Sequence, residues 1–194
     1  TNFLRVMSPD KLHLMPNPIS TWLNKLLGRQ QPQRQSRTTP EKIINTFKNG
    51  VREDDEGHPK KAIQYLTEAI TASRNSAKLH HYRADAYALD AQHEQAIVDY
   101  DTAVRLNPKY PDTYLDRGNS HYQLGHNETA LKDFSEAIRL KPEWGEAFAN
   151  RAVINIELGN TKESETDANS ARKLGVDEAK LGEMLEAASQ ESDN

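Results

Sequence analysis

The chain of 194 residues is long enough for one ordinary domain with an appendage, and its 36% hydrophobic and 28% charged residues are polar for a globular protein yet sufficient for a core. It has no cysteine, which excludes a disulfide framework, cysteine-based zinc sites and thiol catalysis; no apolar run approaches the ~20 residues of a membrane-spanning helix. The net charge of -4 conceals an asymmetry: residues 1–42 carry seven Lys/Arg against two Asp/Glu and residues 43–194 eighteen against twenty-seven, so a basic arm precedes an acidic body whose sign argues against nucleic acid as the main ligand.

Within the arm (1–42), Ser20 suits an N-cap and Gly28 a stop, predicting a short amphipathic helix over about 20–28. Trp22, Leu23, Leu26 and Leu27 share one side of it, and Asn24 and Lys25 take the other. So short a helix does not hold alone in water, and its apolar side must be covered. Three coverings stay open: the protein's own repeats, a partner that binds the stretch as a peptide, or a membrane surface. The same side offers a route to a homo-oligomer, and the acid-poor start fits the remnant of a targeting segment. Residues 28–42, rich in Gln, Pro, Arg, Ser and Thr, read as a flexible basic linker.

From residue 43 onward small residues recur 34 apart in four registers: Ala62, Ala96, Ala130, Ser164; Ala69, Ala103, Ala137, Ala171; Gly57, Ala91, Gly125, Gly159; and Gly50, Ala84, Gly118, Ala152. Between them the apolar residues step by three and four, as in Ala130, Leu131, Phe134, Ala137 and Ile138, which is helical spacing. Small residues on such a stripe let two helix axes approach closely. Gly125 and Gly159 stand where a first helix ends, Pro108 and Pro142 stop the second helices, and Pro111 opens the next first helix. After Gly175, the segment Asp177 to Ala188 is again helical, with Leu181, Met184 and Leu185 apolar.

On these residues the sequence resembles the tetratricopeptide repeat family, in its bacterial type. Tyr114, Gly118, Ala130, Phe134 and Pro142 stand in the family's spacing, as do Ala84, Tyr87, Ala96, Tyr100 and Pro108 one copy earlier, while the end copies are weaker. The resemblance implies an all-α solenoid of four helix–turn–helix units, 43–76, 77–110, 111–144 and 145–178, closed by a capping helix and tail over 179–194. One departure is informative. Arg83, Arg117 and Arg151 replace the family's leucine, and Asp99, Asp133 and Asp167 each follow sixteen residues later. That co-occurrence predicts a forked Arg–Asp pair tying the two helices of a unit, with a merely solvated face as the alternative.

The resemblance further implies a concave face, lined by the first helix of each unit, that grips a peptide or partner helix. Carried onto this chain, the lining takes Phe47, Lys48 and Val51 from the first unit and Lys78, His81, Tyr82 and Asp85 from the second. The third gives Asp112, Leu115, Asp116, Asn119 and Tyr122, the fourth Glu146, Asn150, Val153 and Glu157, and Lys180 lies beyond. This lining suits a protein or peptide ligand with apolar anchors and some positive charge. Residues 19–29 have that composition, and about fourteen linker residues reach ~20 Å, enough for the arm to occupy the groove in cis. Some family members hold the acidic tail of heat-shock chaperones with a carboxylate clamp. Asn119, Asn150 and Lys180 match that clamp, but Leu115 replaces its first Lys and Met184 its Arg.

No Gly-rich phosphate loop appears, the seven histidines form no spaced metal set, and the carboxylates lie on amphipathic helices. The expectation is therefore a non-catalytic adaptor or scaffold with no cofactor and no metal, cytoplasmic or at most peripherally membrane-associated. The alternatives are a co-chaperone with a partial clamp, and an arm that acts as a membrane-surface or autoinhibitory element.

Overall fold

A computed structural model describes residues 40–192. The helix expected over 20–28, with Trp22, Leu23, Leu26 and Leu27, lies outside the described residues, as does nearly all of the linker. The described residues form nine helices: α1 Pro40–Asp55, α2 Pro59–Ala72, α3 Ala77–Leu89, α4 His93–Leu106, α5 Pro111–Gln123, α6 Asn127–Leu140, α7 Gly145–Glu157, α8 Thr161–Lys173 and α9 Glu178–Ser192.

The turn inside each unit follows from one left-handed residue. Gly57, Gly125 and Gly159 have φ of 73°, 71° and 75°, and Ala91 takes φ 56° at the equivalent place. The residue after each then reaches back to a carbonyl of the last helical turn: His58 N to Glu53 O, Gln92 N to Tyr87 O, His126 N to His121 O and Asn160 N to Asn155 O, all between 2.7 and 2.9 Å. This closure satisfies carbonyls that the helix end would otherwise leave open, and it reverses the chain in very few residues.

The other three small-residue registers are all buried. A Cβ on Gly50 would stand 2.7 Å from Leu66 Cγ, and one on Gly118 2.7 Å from Phe134 Cε1, so these glycines are sites of close approach between paired helices. Ser164 fits an alanine slot because its buried hydroxyl donates to Ala152 O at 2.8 Å and so has its acceptor.

The Arg–Asp pairs form as expected and do more. Arg117 donates from Nε to Asp133 Oδ2 at 2.9 Å and from Nη2 to Oδ1 at 2.6 Å, and Arg83–Asp99 and Arg151–Asp167 repeat the fork. The remaining Nη1 reaches the second helix of the preceding unit: Thr67 Oγ1 from Arg83, Asp101 Oδ1 from Arg117, Ser135 Oγ from Arg151. Each guanidinium therefore joins three helices, binding a unit to itself and to its predecessor.

Successive first helices (α1, α3, α5, α7) touch one another, whereas successive second helices make no comparable contact, so the stack bends toward its first helices. At the far end α9 packs on α7 and buries Leu181 among Ala149, Ala152, Ala168 and Ala171, covering the apolar side of the last unit.

Candidate ligand-binding groove

The face toward which the stack bends is lined by three kinds of surface. The first is aromatic. Phe47 of α1 and Tyr82 of α3 lie with ring centroids 5.5 Å apart, and His81 meets Tyr110 edge-on at 5.3 Å. Lys78 spreads over this patch, its Nζ 5.4 Å from the Phe47 ring and 5.7 Å from that of Tyr82. Tyr110 is exposed and was missing from the sequence expectation, because it stands in the turn before Pro111, where helix-face arithmetic does not reach.

The second surface is acidic. Asp85 of α3 and Asp116 of α5 flank the ring of buried His81, with Nε2 at 3.4 Å from Asp85 Oδ2 and 3.9 Å from Asp116 Oδ2. His81 Nδ1 shares a 3.2 Å hydrogen bond with the Thr113 hydroxyl, and Tyr100 OH donates to Asp85 Oδ1 at 2.8 Å. Burial pushes His81 down to about 4, against the pull of Asp112, so the ring is neutral near pH 7. Burial, with the charge of Asp116, pushes Asp85 up to about 8, the Tyr100 hydrogen bond opposing. Asp116 rises to about 7 through burial and the charges of Asp112 and Glu146, and Asp54 to about 6 through burial and Asp55. A cavity of about 330 Å³ opens among Asp54, Asp85, Asp116, His93, Tyr100 and Ser120. Of the five buried side-chain atoms without a hydrogen-bond partner among the described residues, three line it: Asp54 Oδ1, His93 Nδ1 and Ser120 Oγ.

The third surface is amide and apolar. Asn150 Nδ2 donates to Asn119 Oδ1 at 2.9 Å, and a cavity of about 200 Å³ opens beside them against Tyr122, Phe134, Val153 and Met184. Glu157 accepts from Tyr122 OH at 2.6 Å and from Asn127 Nδ2 at 2.7 Å.

Three expected lining residues are buried: His81, whose ring is enclosed between Asp85 and Asp116, and also Leu115 and Val153. Leu115 is only 3% exposed and belongs to the core with Tyr114, Phe134, Ala147 and Ile154, so it offers a ligand almost nothing. Val153 is 7% exposed and contributes only as a wall of the smaller cavity. Lys48, Glu146 and Lys180 are exposed, and Val51 and Asp112 half-buried.

Histidine spacing predicted no metal set, but two groups of three side chains bring possible ligand atoms within 4.8 Å: Glu53, Glu56 and His58, and His81, Asp85 and Asp116. In the first, Glu53 is already ion-paired with Arg52 at 3.2 Å and Lys61 at 3.3 Å. The second escaped the sequence because its two acids come from different units. A larger hollow of about 410 Å³ lies among α6, α7 and α8, but there Arg151 is spent on Asp167 and Ser135.

The comparisons with known proteins agree with this architecture. A family model described as TPR repeat matches residues 92–125, and one described as Tetratricopeptide repeat matches 111–144. MamA is similar in fold at 20% identity, with 81% of this chain and 95% of that one covered and a TM-score of 0.68. The thermophilic TPR protein TTC0263 of Thermus thermophilus is similar at 18% identity, over 77% of this chain and 82% of its own, with a TM-score of 0.63. The first TPR of Spaghetti (RPAP3), solved bound to the HSP90 peptide SRMEEVD, is 27% identical over 64% of this chain and 98% of its own, with a TM-score of 0.61.

Proposed function

Because the chain is a tetratricopeptide-repeat protein, we propose that it is a non-catalytic adaptor whose groove takes an extended or helical segment of a partner through apolar anchors and basic side chains. The juxtaposition of the Phe47–Tyr82–Tyr110 patch with the acids of α3 and α5 carries this reading. Aromatic side chains give the largest apolar contact, and uncompensated acids select for positive charge and against negative. The alternative of a chaperone-tail clamp loses support from the geometry. One asparagine amide is engaged by the other, Met184 stands where a guanidinium is needed, buried Leu115 replaces a lysine, and Glu157 lies alongside. A carboxylate there would meet like charge.

The chain's own arm is a second occupant of the right chemistry, since residues 19–29 hold Trp22, Leu26 and Leu27 together with Lys25 and Arg29. A random peptide library displayed and panned on the full-length chain tests the adaptor reading. Enriched sequences should pair an aromatic or large aliphatic residue with Lys or Arg, and Tyr82→Ala should weaken them about tenfold. Enrichment of acidic C-terminal tails would sink the reading in favour of the clamp.

A further inference from the structure

The geometry points to a subsite for a single basic side chain: the cavity between α1, α3, α4 and α5 receives the ammonium or guanidinium of a lysine or arginine in the ligand, held by Asp54, Asp85 and Asp116. This assignment rests on the reading of the groove as a peptide-binding face. It goes further in naming one pocket, the side-chain class that fills it and the groups that hold it.

Three features define the occupant. The carboxyls arrive from three different helices, and among the described residues no lysine or arginine lines the cavity; His93 is its one basic side chain. Ser120 is 1% exposed, and its Oγ, which has no partner, lines the same cavity, as does the unpartnered Oδ1 of Asp54. Buried polar groups of this kind are nearly always paired, and an ammonium with three donors or a guanidinium with five matches a set of acceptors. Finally, the cavity is far larger than an ion requires, and Ala88, Leu89 and the Tyr100 ring supply apolar wall for an aliphatic stem.

Burial holds the protons of Asp85 and Asp116 up to about 8 and 7, helped at Asp85 by the charge of Asp116 and at Asp116 by those of Asp112 and Glu146. An arriving cation removes that penalty. His81 supplies no competing charge, because burial keeps it neutral.

The test is an amide NMR titration of the full-length chain with n-butylammonium and with methylguanidinium, against n-butanol as the neutral probe of equal length. Saturable shifts centred on Ser120, Asp85 and Asp116 with the two cations, and binding of butanol about tenfold weaker, are expected. The Asp85→Asn, Asp116→Asn double variant should lose about tenfold in cation affinity while the exposed Asp101→Asn control loses none. An asparagine at 85 still accepts the Tyr100 hydroxyl, so the variant should fold, which its far-UV melt verifies. No saturable shift, or equal response to butanol, overturns the subsite. Zn²⁺ or Mn²⁺ alone binding these residues in a form that EDTA strips, with the amines excluded, overturns it in favour of a metal site. The two readings fail separately. Panned peptides whose affinity ignores the double variant leave the groove standing without the subsite, and a library that yields no peptide removes the groove whatever the amines do.

Discussion

Asp133 and Asp101 both touch Arg117, and the contrast between them isolates what burial does to an ion pair. The side chain of Asp133 is 6% exposed and accepts a two-pronged hydrogen bond, whereas that of Asp101 is 60% exposed and accepts one. Removing charge from the buried partner leaves Arg117 only the exposed Asp101, at a cost of up to about 3 kcal/mol, while an exposed pair contributes about 0.5 kcal/mol or less. Asp133→Asn should therefore lower the urea midpoint severalfold more than Asp101→Asn, and equal effects would return the pair to a solvated face. Asp85 carries the opposite sign. A carboxyl held at about 8 in the folded chain, against an ordinary value near 4 unfolded, keeps its proton on folding. Its stabilising effect is complete below the unfolded value and is lost as pH rises through about 8. Asp85→Asn should thus stabilise the fold by about 1–2 kcal/mol at pH 8.5, with the gain shrinking toward zero near pH 4. Denaturant midpoints of both proteins at pH 4.5 and 8.5 check this, and a gain equal at both would contradict it.

At the scale of the helix pair, the turn register sets the test. Three units place glycine in the left-handed position and one places Ala91, exposed and at φ 56°. A Cβ in that conformation costs about 1 kcal/mol, so Ala91→Gly should raise stability by roughly that amount, read as an upward shift in the thermal midpoint. No gain would mean that the closing bond from Gln92 N to Tyr87 O already holds the turn against the strain. The helix pairs were legible in the sequence for the same reason: close approach and turn reversal each demand a particular small residue at a particular place, and the demand repeats. The Arg–Asp fork was legible because its partners recur at one separation. Its third bond was not, since Thr67, Asp101 and Ser135 share no single residue type. The groove was half legible. Helix arithmetic gives the face a residue points to but not the neighbour that covers it, so Leu115 reads as lining in the sequence and is core in the fold. Asp54, Ser120 and His93 went unassigned because only the stacking of units brings them to one cavity.

At the scale of the whole molecule, the question is whether the two ends of the charge asymmetry meet. Residues 1–39 hold six of the arm's seven Lys/Arg and only one acid, Asp10, so deleting them leaves the repeats with a net charge of -9 instead of -4. Salt weakens attraction between exposed charges beyond about 8–10 Å, but a tether keeps the local concentration of a linked segment in the millimolar range. A segment bound even weakly at that concentration occupies its site much of the time. A synthetic peptide of residues 19–29, added to a chain lacking residues 1–39, should therefore bind about tenfold more tightly than to the full-length chain, where the tethered copy competes. The competition should act through Trp22 and Lys25, and replacing both in the full-length chain should restore the affinity of the truncated one. Equal binding to full-length and truncated chains would mean that the arm leaves the groove open and that its apolar side is covered elsewhere, by a second copy, a partner or a lipid surface. Fluorescence anisotropy of the labelled peptide at two salt concentrations separates these outcomes. Occupation driven by the acids of α3 and α5 weakens as salt rises, whereas one driven by the Phe47–Tyr82–Tyr110 patch does not.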